Sequence, residues 1–223
     1  MNLYHVLNRG IDGRKLFLDS QEYVRFIHNL YEFNDTAPTV GSARRNIKDS
    51  NVGPRRSHIR EKLVTIHGWT LMRDHYHLLI SELIEDGLIK FMMKINVGYA
   101  KYYNERYGRH GHLFQGKTKK VCIEREAHFL YILHYVHLNP LDYLQGAAEW
   151  RTRDSGSIRN AKEALRYLEG YRWSSYLDYC GKRNFSSILT KDLFESAPGE
   201  YRKIIENYLK DAEMSSLSDF LLE

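Results

Sequence analysis

Lys62-Leu-Val-Thr-Ile-His-Gly-Trp-Thr-Leu-Met72 and His75-Tyr-His-Leu-Leu-Ile80 are two runs rich in Val, Ile, Trp and Leu, separated only by Arg73-Asp74. Branched and aromatic side chains suit a pleated sheet, and so short a joint predicts a hairpin at the middle of that sheet. Working outward, Leu3 to Asn8 reads as another strand, closed by Arg9-Gly10. Gln21 to Phe33 follows, with Tyr23, Phe26, Ile27 and Leu30 at helical spacing behind an Asp19 or Ser20 cap. Beyond the hairpin, Leu88, Phe91, Met92, Ile95, Tyr99 and Tyr102 recur with the period of an amphipathic helix that ends near Tyr107-Gly108. Lys117 to Ile123 is a fourth strand and Glu126 to Leu138 a third helix. Strands alternating with helices across short turns predict an α+β fold, an antiparallel sheet with helices packed on it.

Two segments interrupt this pattern. From Asn34 to Arg60 the periodicity disappears, Pro38, Gly41, Gly53 and Pro54 break the backbone, and Arg pairs appear at 44/45 and 55/56, so 34–60 reads as a basic insertion. After Pro140 the chain turns through Leu141 to Trp150, and polar Thr152 to Ser157 reads as a linker. Helical pieces then follow around Ala161–Leu168, Ser174–Tyr179 and Tyr201–Met214. The expected organisation is a main domain over 1–150 and a helical C-terminal extension over 151–223.

The chain has 223 residues, 43% hydrophobic, ordinary for a globular protein. It offers no run of ~18 apolar residues and no signal-peptide pattern at its start, so a cytoplasmic protein without membrane contact is expected. Cys122 and Cys180 lack CxxC spacing and read as buried thiols, which excludes a disulfide framework or zinc ribbon. The net charge is +5, and its distribution is segmental: Ser42 to Lys62 holds seven Lys or Arg against two acids, Lys101 to Lys120 six against one, and Lys191 to Glu223 eight acids against four bases. Local basic tracts are what a phosphate track requires.

Two clusters carry chemistry. His75 and His77 are i and i+2 in a strand, so their imidazoles project side by side and can hold a divalent metal; two hydrogen-bonded surface histidines would give the same pattern. At ~100° per residue, the helix before Pro140 carries Phe129, Ile132, Leu133 and Val136 on one face and His128, Tyr131, Tyr135 and Asn139 on an adjacent polar stripe. Tyr135 and Asn139 stand one turn apart, where a hydroxyl and a carboxamide can converge on a metal-bound phosphate; they also fit ordinary residues at the rim of the core.

Taken together, Tyr4-His-Val-Leu-Asn-Arg-Gly10, Met72-Arg-Asp-His-Tyr-His-Leu-Leu79, Gly111-His-Leu-Phe-Gln-Gly-Lys117, Tyr135-Val-His-Leu-Asn-Pro140 and Trp173-Ser-Ser-Tyr176 resemble the single-tyrosine transposases of the HUH endonuclease superfamily, in particular the REP-associated tyrosine transposase type. The resemblance runs over nearly the whole chain. It implies a ferredoxin/RRM-like sheet and a metal-dependent single-strand DNA endonuclease and strand transferase that cleaves beside DNA hairpins through a 5′-phosphotyrosine. His75 and His77 match the paired histidines, Tyr135 the nucleophile and Asn139 the third protein ligand. Mg²⁺ or Mn²⁺ is implied by the family, whereas the ligand set alone would also suit Zn²⁺ or Ni²⁺. Tyr131 is the alternative nucleophile. The family often has Pro-Asn before its first histidine where this chain has Arg73-Asp74, and the 34–60 insertion is longer than usual.

Single-stranded DNA is held by cations and stacking aromatics, for which Arg106, Arg109, Lys117, Lys119 and Lys120, with Phe114 nearby, are the candidates. A homodimer exchanging its tyrosine helix is compatible with the sequence. So are two other functions: a non-catalytic DNA-hairpin-binding regulator that keeps the fold, and a metal hydrolase that uses water in place of tyrosine.

Overall fold

The computed structural model describes residues 2–38, 60–145, 147, 150, 160–194, 197 and 199–210. Most of the basic insertion, the Thr152–Ser157 linker and the end of the last expected helix (211–214) lie outside the described residues.

The main elements run β1 (Leu3–Arg9), α1 (Ser20–Glu32), β2 (Val64–Leu71), β3 (His75–Glu82), α2 (Gly87–Arg106), β4 (Lys119–Cys122) and α3 (Glu126–Leu138), then α4 (Ala161–Gly170), α5 (Tyr176–Tyr179) and α6 (Glu200–Lys210). Among the described residues the sheet is antiparallel with order β2-β3-β1-β4. The βαββαβ succession with β1 and β3 central is the ferredoxin/RRM-like arrangement, in an α+β chain. Asp19 caps α1 by accepting from the amides of Gln21 and Glu22, and Glu22 returns a bond to the cap backbone. Gly87 opens α2 where a Cβ would stand 2.3 Å from the Leu63 carbonyl oxygen, so only glycine lets β2 and α2 approach this closely.

Strand alternation divides the sheet between two cores. Val6, Tyr76, Leu78 and Ile80 face α1 and α2, joining Phe26, Ile27, Leu30, Phe91, Ile95 and Tyr99. The other face meets α3, and α3 is itself covered by α4, α6 and the Tyr176–Tyr179 turn, through Leu79, Leu133, Val136, Leu165, Tyr176, Ile205 and Tyr208. Because α3 is enclosed on both sides, Tyr135, His137 and Asn139 are buried together with Ile132, Leu133 and Val136. A single amphipathic stripe with Tyr135 and Asn139 at its rim does not describe this helix.

The Trp173-Ser-Ser-Tyr176 segment differs from the sequence reading as well. Ser174 and Ser175 do not start a helix; Ser174 bridges Thr70, and the Ser175 amide donates to the Trp69 carbonyl at 2.9 Å. They extend the β2 edge because the backbone groups of Trp69 and Leu71 need partners there. Cys122 and Cys180 are free and only half-buried, not buried as expected. No helix among the described residues is long and apolar enough to cross a membrane.

Candidate active site

Register brings the site together. In antiparallel pairing, directly opposed residues share a face. β1 sets Leu7 opposite His77, Arg9 opposite His75 and His5 opposite Leu79, so His5, His75 and His77 all face α3. The rings of His5 and His77 stack at 5.2 Å, and His75 lies edge-on to His77 at 5.0 Å. Tyr135 is edge-on to both His5, at 5.5 Å, and His77, at 5.7 Å. All are buried: Tyr135, His77 and Asn139 are 0% exposed, His5 1% and His75 5%.

Tyr135 is held there by the way α3 ends. The last carbonyls of a helix have no partner within it. Asn139 donates its side-chain amide to the Tyr135 carbonyl at 2.7 Å, and the Thr70 hydroxyl donates to the Val136 carbonyl at 2.7 Å. Thr70 is itself opposite His77 in the sheet, so this bond pins the end of α3 over the histidine. Trp150 packs on the other side of the phenol at 5.7 Å, with its indole N–H donated to Asp142 at 2.7 Å. Tyr131 instead neighbours His134 and Tyr208.

The hydrogen bonds also say which atoms a metal would meet. His75 presents Nδ1 to the Asp74 carboxylate at 2.8 Å, and His77 Nδ1 is 2.9 Å from His5 Nε2. A carboxylate only accepts, so His75 donates from Nδ1 and its neutral ring carries the lone pair on Nε2, the tautomer a metal-ligating imidazole needs; His77 takes the same tautomer when its Nδ1 is the donor to His5. The Asn139 amide nitrogen is likewise engaged, so the atom it would offer a metal is Oδ1. Each of these side chains thus carries the kind of outer-shell bond found on metal-ligating groups, whichever divalent cation is bound. No group of three or more His, Cys, Asp or Glu arranged for a metal occurs among the described residues, and the set here is two imidazoles and a carboxamide. Burial pushes the Asp74 carboxyl up, but the His75 hydrogen bond and the charge of Arg9 oppose it, and the group lies below the ordinary range.

His5 was missed in the sequence reading. Its signal was the alternation Leu3, His5, Leu7, Arg9 in the first strand, which becomes informative only once β1 is known to lie beside β3.

The six DNA-contact candidates separate. Lys117 and Lys119 are exposed and line a cleft beside β1. Lys120 points to the opposite face, 5.5 Å over the Tyr4 ring, as alternation in β4 dictates. Arg106 is tied at the end of α2 to Asp19 at 2.5 Å and the Tyr102 hydroxyl at 2.7 Å, and Arg109 bonds Asn104 at 3.2 Å. Phe114 packs in the α1/α2 core, edge-on to Tyr76, so its ring is not offered to a base. The structure therefore brings two of the six close to the histidine strand.

No protein-family model matches the chain, and no curated protein matches it. Among solved structures it is similar to one described as "Structure of the REP associates tyrosine transposase bound to a REP hairpin", with a TM-score of 0.49 and 10% identity, covering 89% of this chain and 90% of that chain. A likeness of that degree says nothing about activity or substrate.

Proposed function

We propose that this chain is a metal-dependent endonuclease and strand transferase acting on single-stranded DNA beside hairpins, with Tyr135 as its nucleophile. The observation that carries the reading is the Tyr135 ring held edge-on to His5 and His77, over a strand whose two histidines each have Nδ1 engaged, by Asp74 and by His5. His75, His77 and Asn139 would hold Mg²⁺ or Mn²⁺, which when bound neutralises charge on the scissile phosphate. The chain's own groups do the rest. Tyr135 Oη attacks phosphorus; the Oη–P bond forms, the P–O3′ bond breaks, and the phenol proton is balanced by the proton the 3′-oxygen takes up. A 5′-phosphotyrosine conserves the bond, so that another 3′-hydroxyl can reverse the step and join strands. His5 positions His77, and Asp74 positions His75. Because Tyr135 is enclosed, with Trp150 against it, the DNA must uncover the phenol on binding.

The test is incubation of labelled single-stranded hairpin DNA from the gene's flanks with Mn²⁺ or Mg²⁺, followed by denaturing electrophoresis. An SDS-resistant adduct that needs the metal and vanishes in Tyr135→Phe supports the reading. Cleavage that survives the substitution would indicate a water-using hydrolase, and binding without cleavage a regulator.

A further inference from the structure

The histidine face continues sideways into a cleft of about 210 Å³ lined by Leu7, Asn8, Arg9, Gln115, Lys117 and Lys119. We propose that this cleft seats the nucleotide next to the scissile bond of single-stranded DNA, with Arg9, Lys117 and Lys119 neutralising its phosphate and Gln115 reading its base. The proposal rests on the nuclease reading above for the identity of the neighbouring bond.

Position comes first. Leu7 is opposite His77 on one side and Lys119 on the other, and Arg9 is opposite His75. Opposed residues share a face at a Cα separation of roughly 5 Å, so the floor of the cleft lies one strand from the candidate metal ligands and on their side of the sheet. A strand of DNA with one phosphate at the histidines therefore carries its neighbour over β1 and β4.

Charge and shape agree with position. Three cations line the cleft, and Arg9 among them is ion-paired with Asp74, 3.8 Å from its Nε. The walls are fixed before any ligand arrives. Asn8 accepts from the Arg9 amide at 2.9 Å and donates to the Thr118 hydroxyl at 3.3 Å, tying β1 to the far wall, and the Gln115 amide donates to the Arg9 carbonyl at 2.8 Å. Gly116, at φ +70°, supplies the left-handed turn that sets Gln115 and Lys117 on the rim. Gln115 is exposed, and its carboxamide offers a donor and an acceptor side by side, the pair that matches the N6 and N7 edge of adenine.

The experiment uses the full chain carrying Tyr135→Phe, so that binding is read without cleavage. Labelled dA12 and dT12 are titrated by fluorescence anisotropy across a salt series. Lys117→Ala with Lys119→Ala is expected to lower the slope of log K against log salt by about 0.7, the value for one phosphate of a single strand, equally for both oligonucleotides. Restoring the charge with Lys117→Arg and Lys119→Arg is expected to restore the slope, which a merely structural role would not do. Gln115→Ala is expected to leave the slope alone and remove a preference for dA12 of about tenfold. An unchanged slope in the alanine pair, or equal binding of dA12 and dT12 by the parent, overturns the proposal. The Tyr135 adduct assay keeps the two readings apart: an adduct with an unchanged slope sinks the cleft alone, and a reduced slope without an adduct sinks the nuclease alone.

Discussion

The two faces of one sheet are built to different rules. Along β3, Tyr76, Leu78 and Ile80 enter the α1/α2 core, while His75, His77, Leu79 and Ser81 alternate with them toward α3. Both sets are buried, yet one is almost wholly apolar and the other mostly polar. A buried polar group is costly unless it is hydrogen-bonded, and each one on the α3 side is drawn into a bond: His75 to Asp74, His77 to His5, Ser81 to His67. A stable fold would be reached more simply with leucine at these positions. The difference teaches that the α1/α2 face is a nearly pure apolar core, whereas the α3 face combines a second core with buried polar groups that the proposed site would use.

That contrast can be broken first at the phenol. Tyr135→Phe is expected to reduce covalent adduct and strand transfer by at least about 10³-fold, with the melting temperature close to that of the parent. An adduct at parental level would remove Tyr135 from the mechanism. On the opposite face, Leu78→Ala should do the reverse, costing about 2–5 kcal/mol of stability in urea unfolding while adduct per folded molecule is maintained. If activity per folded molecule falls with stability, the two faces are not separable in the way described.

Smaller effects sharpen the comparison within the α3 side. Removing the carboxylate that orients His75, by Asp74→Ala, should weaken Mn²⁺ about 10–100-fold, read as a shift of the metal-induced rise in melting temperature to higher concentration. An unshifted titration would mean that Asp74 serves Arg9 alone. Facing the C-terminal helices, His137 is buried between the Tyr201 hydroxyl and Ser175 Oγ, each at 2.7 Å. Burial, with the neighbouring His134 adding to it, holds its pKa well below 6.5, and burial brings His134 down to about 4. Below pH 6.5 the unfolded chain takes up protons that these two native side chains refuse. Stability is therefore complete above that pH and falls as pH drops toward the native values, by about 1.4 kcal/mol per pH unit for each histidine. His137→Gln should make the fall between pH 6.5 and 5 shallower by that amount, whatever it does to stability at pH 7.5. A slope identical to the parent's would assign the pH dependence elsewhere.

Much of this fold was legible before any coordinates. The Asp19 cap, the helix after it, the hairpin around Arg73-Asp74 and the long amphipathic helix all stand where spacing placed them, because each signal is local: a cap bonds the next turn, and apolar residues repeat with the period of their own element. Boundaries that depend on a neighbour moved. β4 shortened to Lys119–Cys122, the length over which β1 offers partners, and Ser174 and Ser175 left the expected helix for the β2 edge.

The amino-acid sequence by itself determined the alternation of strands and helices, the paired His75 and His77, and the proximity of Tyr135 to Asn139 along one helix. Only the tertiary structure decided that β1 lies between β3 and β4. That pairing put His5 against His77 and Arg9 beside Asp74, sent Lys119 to the histidine face and Lys120 to the other, and enclosed Tyr135 between the sheet and the C-terminal helices. Periodicity reports which side of its own element a residue occupies, whereas the partner across that side is fixed by strand order and register, which bring together residues distant in the chain.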